Sequence, residues 1–175
     1  MKHSDFDKQR SNGEPDMQTR ARAITDLRKT PDHVVMQCEA TAMEFYRRDQ
    51  LDRALDMLEK LVLIRPDEPT YWTLMGVVFR RKNRRAPALS CLRRAVELDR
   101  DDRNSLINLA EVLVEVGKVP EGVDLMRAVF EQGFDPALSP EEHDPITIRA
   151  GAQLEFIGGM LDHFIDGARD DLSAR

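Results

Sequence analysis

The sequence predicts an all-α fold in which three helix–turn–helix repeats stack side by side, with one further helix at each end. Two observations support this. Every candidate element has the periodicity of a helix, and no stretch alternates in the way a half-buried strand does. Residue size also recurs at a spacing of 34, in copies that cover residues 35–68, 69–102 and 103–136. A period of this length is typical of helical repeats that bury their faces on one another.

The repeat shows as columns of residues of similar size. Two columns contain only small residues: Ala42, Gly76 and Ala110, then Ala54, Ala88 and Gly122. Others are largely apolar: Cys38, Trp72 and Leu106; Phe45, Phe79 and Leu113; Leu55, Leu89 and Val123; Leu58, Leu92 and Met126; Leu61, Ala95 and Val129. A glycine inside a helix costs about 1 kcal/mol relative to alanine. Gly76 therefore predicts a point where the two helices of a repeat approach closely.

Caps, prolines and turn residues set the predicted helix boundaries. Asp32 is expected to cap the first repeat helix, and Pro120 fits the first turn of its own helix, where a missing N–H is harmless. Turns are predicted at 48–50, 82–84 and 117–118. The predicted repeat helices cover residues 32–48, 51–64, 69–82, 85–99, 103–116 and 119–132.

The N-terminal segment differs from the repeats. Residues 1–15 are polar and charged, and we expect them to form a disordered tail. Residues 16–34 are predicted to contain a short helix, with Ala23, Ile24 and Leu27 on one face.

The C-terminal segment, residues 137–175, is predicted to contain a loop and a long capping helix. The region 133–145 is rich in Pro, Asp and Glu, and Ser139 starts a single turn within it. The helix is predicted from Pro145 to about Ala168 and should cover the third repeat, with contact to a partner as the alternative. Gly158-Gly159 predicts either a kink or close approach to another helix.

Composition narrows the classes of function. The chain is 41% hydrophobic and 33% charged, as a globular protein is, and its net charge of -6 gives no global support for nucleic-acid binding. It contains no apolar run of the roughly 20 residues that span a bilayer and no signal-peptide core. Two distant cysteines favour free thiols in the cytoplasm. The four histidines show no metal-ligand spacing, and no nucleophile or phosphate-loop motif occurs. We therefore expect neither an enzyme, a bound metal nor a cofactor.

The densest charge run is Arg80-Arg81-Lys82-Asn83-Arg84-Arg85. In the repeat frame it covers the end of one helix, a turn and the start of the next. Three interpretations remain open: a solvated turn whose bases complement a helix dipole, a site for an acidic partner segment, or a nucleic-acid patch. The absence of interleaved aromatic residues disfavours single-stranded nucleic acid.

The first helices of the repeats should line a concave face that binds a protein or a linear peptide segment. Positions that point away from the packed columns are the candidate peptide-binding residues: Met36, Glu39, Met43, Tyr46, Arg47, Thr70, Thr73, Leu74, Val77, Arg80, Arg81, Asn104, Ile107, Asn108 and Glu111. Met43, Leu74, Val77 and Ile107 form an apolar centre, which is typical of a peptide groove. The alternative is that a terminal segment of the chain covers this centre.

The repeats resemble the tetratricopeptide repeat, which implies a right-handed superhelix. The second copy matches best, through Trp72-x2-Met75-Gly76-x2-Phe79 followed by Ala88-x3-Leu92 and Ala95. The first copy keeps Phe45, Ala54, Leu58 and Pro66 but has Cys38 and Thr41 where Trp and Leu are usual. The third keeps Leu109 and the Gly117-Lys118 turn, with Gly122 where alanine is usual.

One tetratricopeptide subfamily, the co-chaperones that hold the C-terminal carboxylate of heat-shock proteins, uses a clamp of Lys, Asn and Arg on the concave face. The matching positions here lack the basic residues: Glu39, Met43, Leu74, Asn104 and Asn108. This sequence therefore disfavours that function.

The whole layout from about residue 17 to 168 is similar to the class II chaperones of type III secretion. The stretches ALDMLEKLVLIRPDEPTYWTLMGVVFR and NLAEVLVEVGKVPEGVDLM resemble their repeat junction and third repeat. The long loop at 133–145 departs from that family's compact pattern. The resemblance implies a bacterial cytoplasmic chaperone that holds a translocator segment in the concave groove before secretion and that forms a homodimer through its N-terminal region. The net charge and the lack of a bilayer-spanning apolar run separately predict no nucleic-acid partner and no direct membrane insertion.

Two other classes of function stay open beside the chaperone. One is an adaptor that scaffolds a bacterial motility, secretion or signalling complex. The other is an enzyme or a nucleic-acid regulator. A neighbouring gene for a translocator with apolar segments would favour the chaperone, and binding of a soluble folded partner would favour the adaptor.

Overall fold

The computed structural model describes residues 17–173, and all secondary structure in that range is helical. The predicted disordered tail, residues 1–15, lies outside the described range. The elements in chain order are α1 (Met17–Leu27), α2 (Asp32–Arg47), α3 (Leu51–Ile64), α4 (Pro69–Arg81), α5 (Arg85–Leu98), α6 (Arg103–Glu115), α7 (Val119–Gly133), a 3₁₀ turn (Pro140–Glu142) and α8 (Pro145–Ser173).

The six helices α2–α7 form three consecutive pairs, as the 34-residue period predicts. Their ends agree with the predicted boundaries to within one residue. One detail of the prediction is wrong: Asp32 does not cap α2. Pro31 occupies the cap position without a side-chain hydrogen bond, and Asp32 lies in the first turn, where its carboxylate pairs with Arg65.

The turn inside each pair has the same backbone in all three repeats. Asp49, Asn83 and Gly117 have φ values of 59°, 59° and 83°, the left-handed region that Gly, Asn and Asp tolerate best. In each repeat the backbone N–H of the residue after this one donates a hydrogen bond to the carbonyl oxygen five residues before it. Lys118, for example, donates to Leu113 at 2.9 Å. This is the hydrogen bond of a Schellman cap, which ends the first helix of the pair.

Gly76 lies where α4 meets α5. A Cβ built on it would lie 2.5 Å from Leu92 Cγ and 3.3 Å from the Ala88 carbonyl oxygen. Ala88 and Leu92 are both fully buried. The close contact that this glycine predicts is therefore present, and Ala88 and Leu92 belong to the apolar core that joins the first two repeats to α6.

A second apolar cluster joins the third repeat to α8. Ala150 and Ile157 of α8 are buried against Ile107 and Ala110 of α6 and Met126 of α7. The helix thus covers the end of the repeat array, the position predicted for it. The predicted close approach at Gly158-Gly159 is wrong, because a Cβ at either glycine would meet nothing within 4 Å.

A set of polar contacts fixes the start of α8. The Asp144 carboxylate accepts hydrogen bonds from the backbone N–H groups of Ile146 and Thr147, at 2.9 and 3.2 Å. Arg103 of α6 donates to Asp144 at 2.9 Å and to the Thr147 hydroxyl at 2.5 Å. The hydrogen bond from the Thr147 side chain, followed by that from Arg103, lowers the pKa of Asp144 strongly. The helix start is therefore tied to the third repeat.

The segment before α8 is compact, although the sequence predicts only a loop with one turn. Phe134 stacks on Phe130 and on His143, with centroid distances of 4.9 and 5.2 Å. His143 is buried, and its Nε2 accepts from the Asp135 N–H at 3.1 Å. Ser139 and Glu142 complete a capping box around the 3₁₀ turn.

The two cysteines are free, as predicted. Cys38 is half-buried, and burial raises the pKa of the Cys91 thiol to about 11. Within residues 17–173, none of the helices combines the length and the hydropathy that crossing a bilayer requires.

Candidate binding groove

Three adjoining cavities run across the face formed by α2, α4 and α6, and together we call them the groove. The first, about 350 Å³, lies between α2 and α4 and is lined by residues that include Met43 and Leu74. The second, about 470 Å³, shares Leu74 with the first and extends to α6. The third, about 380 Å³, shares Val77 and Asn108 with the second. The shared side chains make the three cavities one continuous surface.

The structure brings most of the predicted peptide-binding residues to this surface. Those that line one of the three cavities are Glu39, Met43, Tyr46, Thr70, Thr73, Leu74, Val77, Arg80, Arg81, Asn104 and Asn108. Four others do not line it: Met36, Arg47, Ile107 and Glu111.

These four residues lie in different places. Met36 is exposed on α2, and Arg47 is exposed and pairs with Glu44 one turn before it. Ile107 and Glu111 are 0% and 4% exposed, so neither is open to a partner in this structure. Both were expected on an open face, and both are instead covered because α8 packs on the third repeat.

The floor of the first cavity is apolar. Met43 and Leu74 are half-buried, and Leu58 and Leu61 close the cavity from below. Tyr71, which is buried, donates its phenol hydrogen to the Glu39 carboxylate. Burial, and then this hydrogen bond, raise the pKa of Tyr71 above its ordinary range. The hydrogen bond therefore positions the Glu39 carboxylate at the cavity wall.

Acidic side chains lie at the rim where α4 and α6 begin. Glu68 caps α4 through the Thr70 N–H, and Asp102 caps α6 through the Asn104 N–H. Asp99 lines the same cavity. Among the residues that the structure describes, no lysine or arginine lines the first or second cavity. This side of the groove therefore combines apolar surface with negative charge.

The opposite rim, where α4 ends, holds the run at residues 80–85. Its bases have partners on neighbouring repeats: Arg80 with Glu111 and Glu115, Arg81 with Asp49, Lys82 with Asp52, and Arg85 with Glu115. The Arg84 guanidinium lies over the Phe79 ring, 5.0 Å from its centroid. The run thus bridges adjacent repeats, a contribution that the three sequence-based interpretations did not include.

An ion-pair cluster closes the third cavity. Glu111 lies between Arg80 of α4 and Arg149 of α8, and Arg149 binds both of its oxygens, at 2.7 and 2.5 Å. Arg149 also donates to the Asn108 side chain at 3.1 Å. The Asn108 amide nitrogen in turn donates to the Asn104 carbonyl at 2.7 Å. Two arginines around one buried carboxylate offset the cost of burying it.

Sequence reasoning missed several lining residues. Arg149 is a single basic residue in the apolar start of α8. Its need for a partner was detectable from the sequence, because an unpaired charge on a packed helix face is costly. Glu68 and Asp102 were detectable as caps, since each is an acid directly before a predicted helix. The sequence predicted that α8 would cover the third repeat, but it did not indicate that Arg149 would meet Glu111 and Asn108 of α6.

The paired helices, the small-residue columns and the groove define the fold of tetratricopeptide-repeat domains, as the sequence predicts. No family model matches the sequence, and no curated protein sequence is significantly similar to it. Solved structures do show the fold. PcrH from Pseudomonas aeruginosa superposes with a TM-score of 0.66 at 19% identity, over 75% of this chain and 97% of PcrH.

Two further structures are similar to the same degree. The translocator chaperone SycD of Yersinia enterocolitica has a TM-score of 0.65 at 17% identity, covering 75% of this chain and 96% of SycD. The first tetratricopeptide domain of human RPAP3 has a TM-score of 0.64 at 19% identity, covering 76% and 96%. The chain therefore shares its fold with type III secretion chaperones and with a tetratricopeptide domain of another origin.

Proposed function

We propose that this chain is a cytoplasmic bacterial chaperone that holds an extended segment of a secreted, translocator-type protein in the groove. The observation that carries the proposal is the continuous surface around Met43, Leu74 and Val77. These side chains lie on the first helices of two repeats and remain half-buried, with cavities above them. A linear segment with apolar side chains would complete their burial.

The chemistry of the groove describes the segment it would accept. Apolar side chains would enter the first and second cavities, and the rim at Glu68, Asp99 and Asp102 favours a basic residue beside them. Asn104 is exposed at the mouth of the second cavity and is placed to hydrogen-bond a peptide backbone. Asn108, which is also one of the candidate residues, is less available to a peptide because its amide group already bonds to the Asn104 carbonyl and to Arg149.

An order-of-magnitude affinity follows from the number of anchors. Two or three apolar side chains contribute about 1.5–3 kcal/mol each on burial. Ordering a flexible segment opposes this by a few kcal/mol. The result is a dissociation constant of the order of micromolar, which suits a client that must be released before export.

The solved complexes support this mode of binding. PcrH has been crystallised with the chaperone-binding region of PopD, and SycD with a peptide of the translocator YopD. RPAP3, which has been solved with an HSP90 peptide, supports the alternative of an adaptor. The basic clamp expected for that ligand is absent here, because the matching positions include Glu39, Met43 and Leu74.

A pull-down from the native host with Leu74→Asp tests the proposal. Leu74 is shared by the first two cavities, and a charge there should weaken client capture about 30-fold through a loss of roughly 2 kcal/mol. Leu63→Asp is the matched control, since Leu63 is exposed on α3 and lines none of the three cavities. Mass spectrometry identifies the captured protein, and circular dichroism checks that both variants fold.

Three outcomes are informative. Capture of one secreted protein with apolar segments by wild type and Leu63→Asp, but not by Leu74→Asp, supports the chaperone. Capture of a soluble folded complex that Leu74→Asp disrupts favours the adaptor. Equal capture by all three chains excludes the groove as the binding site.

A further inference from the structure

Helix α8 has a second apolar face that the repeats do not cover. Ile148, Ala152, Phe156 and Met160 are four residues apart and therefore lie on one side of the helix. Phe156 is 65% and Met160 59% exposed, while Ala150 and Ile157 on the other side are buried against the repeats. A helix that is apolar on two sides ordinarily has a partner on each.

The same face also contains a depression. An open cavity of about 540 Å³ is lined by Phe130 of α7, by Phe134 and Leu138 of the connecting segment, and by Ile148 and Gly151 of α8. A shallower one beside it is lined by Phe156 and Met160. The two share Ala152 and Glu155 and are therefore one surface, with a hole at one end and two projecting side chains at the other. We call this surface the α8 face.

We propose that the α8 face is a homodimer interface, in which Phe156 and Met160 of one copy fill the hole of a second copy and receive the same contact in return. A two-fold contact requires one patch to carry both complementary parts, as this patch does. Ile148 and Phe156 are eight residues apart, or about 12 Å along the helix. Two antiparallel copies that cross near Ala152 would therefore place each Phe156 over the partner copy's hole.

The size of the patch fits a weak, reversible dimer. Five of its apolar side chains are substantially exposed: Phe134, Leu138, Ile148, Phe156 and Met160. At about 100 Å² each they would bury roughly 1,000 Å² over two copies, which is the lower bound for a specific interface. Of the described side chains that line the surface, only Glu155 carries a carboxylate. The buried His143 already bonds to Asp135 and Ser139.

The chain's own N-terminal residues are a poorer occupant. Among residues 1–16 only Met1 and Phe6 have large apolar side chains. The segment leads into α1, which packs on α3 at the other end of the array. A second copy supplies Phe156 and Met160 already arranged on one side of a helix. This interface is also separate from the N-terminal one that the chaperone resemblance implies.

Sedimentation velocity over a wide range of concentrations tests the proposal on the full chain. Wild type should show a concentration-dependent monomer–dimer equilibrium, and Phe156→Lys should raise the dimer dissociation constant at least about tenfold. Met36→Lys is the matched control, because Met36 is also 65% exposed but lies on α2, away from the α8 face. Ile24→Lys tests the N-terminal interface in the same way. Thermal unfolding of each variant checks that the fold is kept.

A mixing experiment tests the reciprocal contact itself. The dimer of the Ile148→Asp variant alone should also dissociate, because the substitution places a charge in the hole that receives Phe156. A mixture of Phe156→Lys with Ile148→Asp should form a heterodimer, since one contact becomes an ion pair and the other remains wild type. A dimer that Ile24→Lys alone disrupts would overturn the proposal, as would a monomer at every concentration or a mixture that stays monomeric. The proposal would also be overturned if the wild-type chain is monomeric and Phe156→Lys abolishes capture of the client. The α8 face would then be a client-binding site.

Discussion

The first two repeats and the third differ in what covers the same surface. Met43, Val77 and Glu111 are equivalent under the 34-residue period, yet the first two line open cavities and Glu111 is 4% exposed. Glu39 and Ile107 are likewise equivalent, and only Glu39 lines a cavity. We refer to α2–α5 as the open half and to α6–α8 as the closed half.

The difference shows that the repeat itself does not decide which residues are available for binding. The fold places one position of each repeat on the same face, and the packing of α8 then covers Ile107 and Glu111 of the third repeat, while Asn104 stays exposed at the mouth of the groove. Arg149 makes the closure specific, because it bonds to Glu111 and Asn108. We therefore place a client mainly along the open half, with Asp102 and Asn104 at the start of α6 as its edge, and the rest of the closed half forms the end wall of the groove.

The largest expected effect concerns the feature that the two halves have in common, which is close pairing within a repeat. Gly76→Leu and Gly122→Leu should each destabilise the fold by about 3 kcal/mol through overpacking. A Cβ at Gly76 meets Leu92 at 2.5 Å, and one at Gly122 meets the Ala110 carbonyl oxygen at 2.7 Å. Chemical denaturation of the two variants measures the free energy of unfolding.

Gly158→Leu is the control for this pair of variants. It lies in α8 with nothing within 4 Å of its Cβ position, so a larger residue should be neutral or slightly stabilising through helix propensity. Unchanged stability in Gly76→Leu would contradict the repeat register. Unchanged stability in Gly122→Leu alone would mean that the two halves differ in packing as well as in covering.

Within the repeats, the sequence predicted the fold closely, because the relevant contacts are local and periodic. Gly76, Ala88 and the turn at Asn83 each signal their role through residue type and spacing. The path of α8 was only partly predictable. That it covers the third repeat follows from the need to cap a repeat array. Its exact approach depends on Arg103, Asp144 and Thr147, which meet across more than 40 residues of sequence.

The positions of the candidate groove residues named below were also predicted correctly in the open half and incorrectly in the closed half. Met43, Leu74 and Val77 were placed correctly on its surface, because helical geometry alone determines where they point. Ile107 and Glu111 were misplaced, since the same geometry applies to them but the covering helix does not appear in their local sequence. Whether any of these residues contacts a peptide stays a prediction.

The second-largest expected effect concerns the stability of the closed half and its dependence on the buried Glu111 carboxylate. Glu111→Val gives the third repeat the residue that the second has at this position. It leaves Arg80 and Arg149 without their shared partner and should destabilise the fold by about 2 kcal/mol. The reciprocal Val77→Glu in the open half should change stability by less than about 1 kcal/mol, because Val77 faces a cavity.

Thermal unfolding of Glu111→Val and Val77→Glu measures the two changes in stability. Glu121→Val is the control for Glu111→Val, since Glu121 makes only an exposed pair with Lys118 and should contribute almost nothing. Equal effects at positions 77 and 111 would contradict the division into an open and a closed half.

The smallest effect concerns the start of α8, the element that distinguishes the two halves. The pKa of Asp144 is lowered by the Thr147 side chain and then by Arg103, so its ionised form stabilises the folded state above the ordinary aspartate pKa of about 3.9. That contribution is lost as the pH falls below 3.9 and through the lowered pKa that Asp144 has in the folded state.

Asp144→Asn should therefore have a lower Tm than wild type at neutral pH, by a few degrees at most because the side chain is 41% exposed. The difference should shrink as the solution is acidified. Asp124→Asn, at an exposed aspartate of α7, is the matched control and should leave the Tm at neutral pH close to that of wild type. A Tm deficit of Asp144→Asn that stays constant from neutral to strongly acidic pH would mean that the carboxylate's charge does not hold α8 on the third repeat.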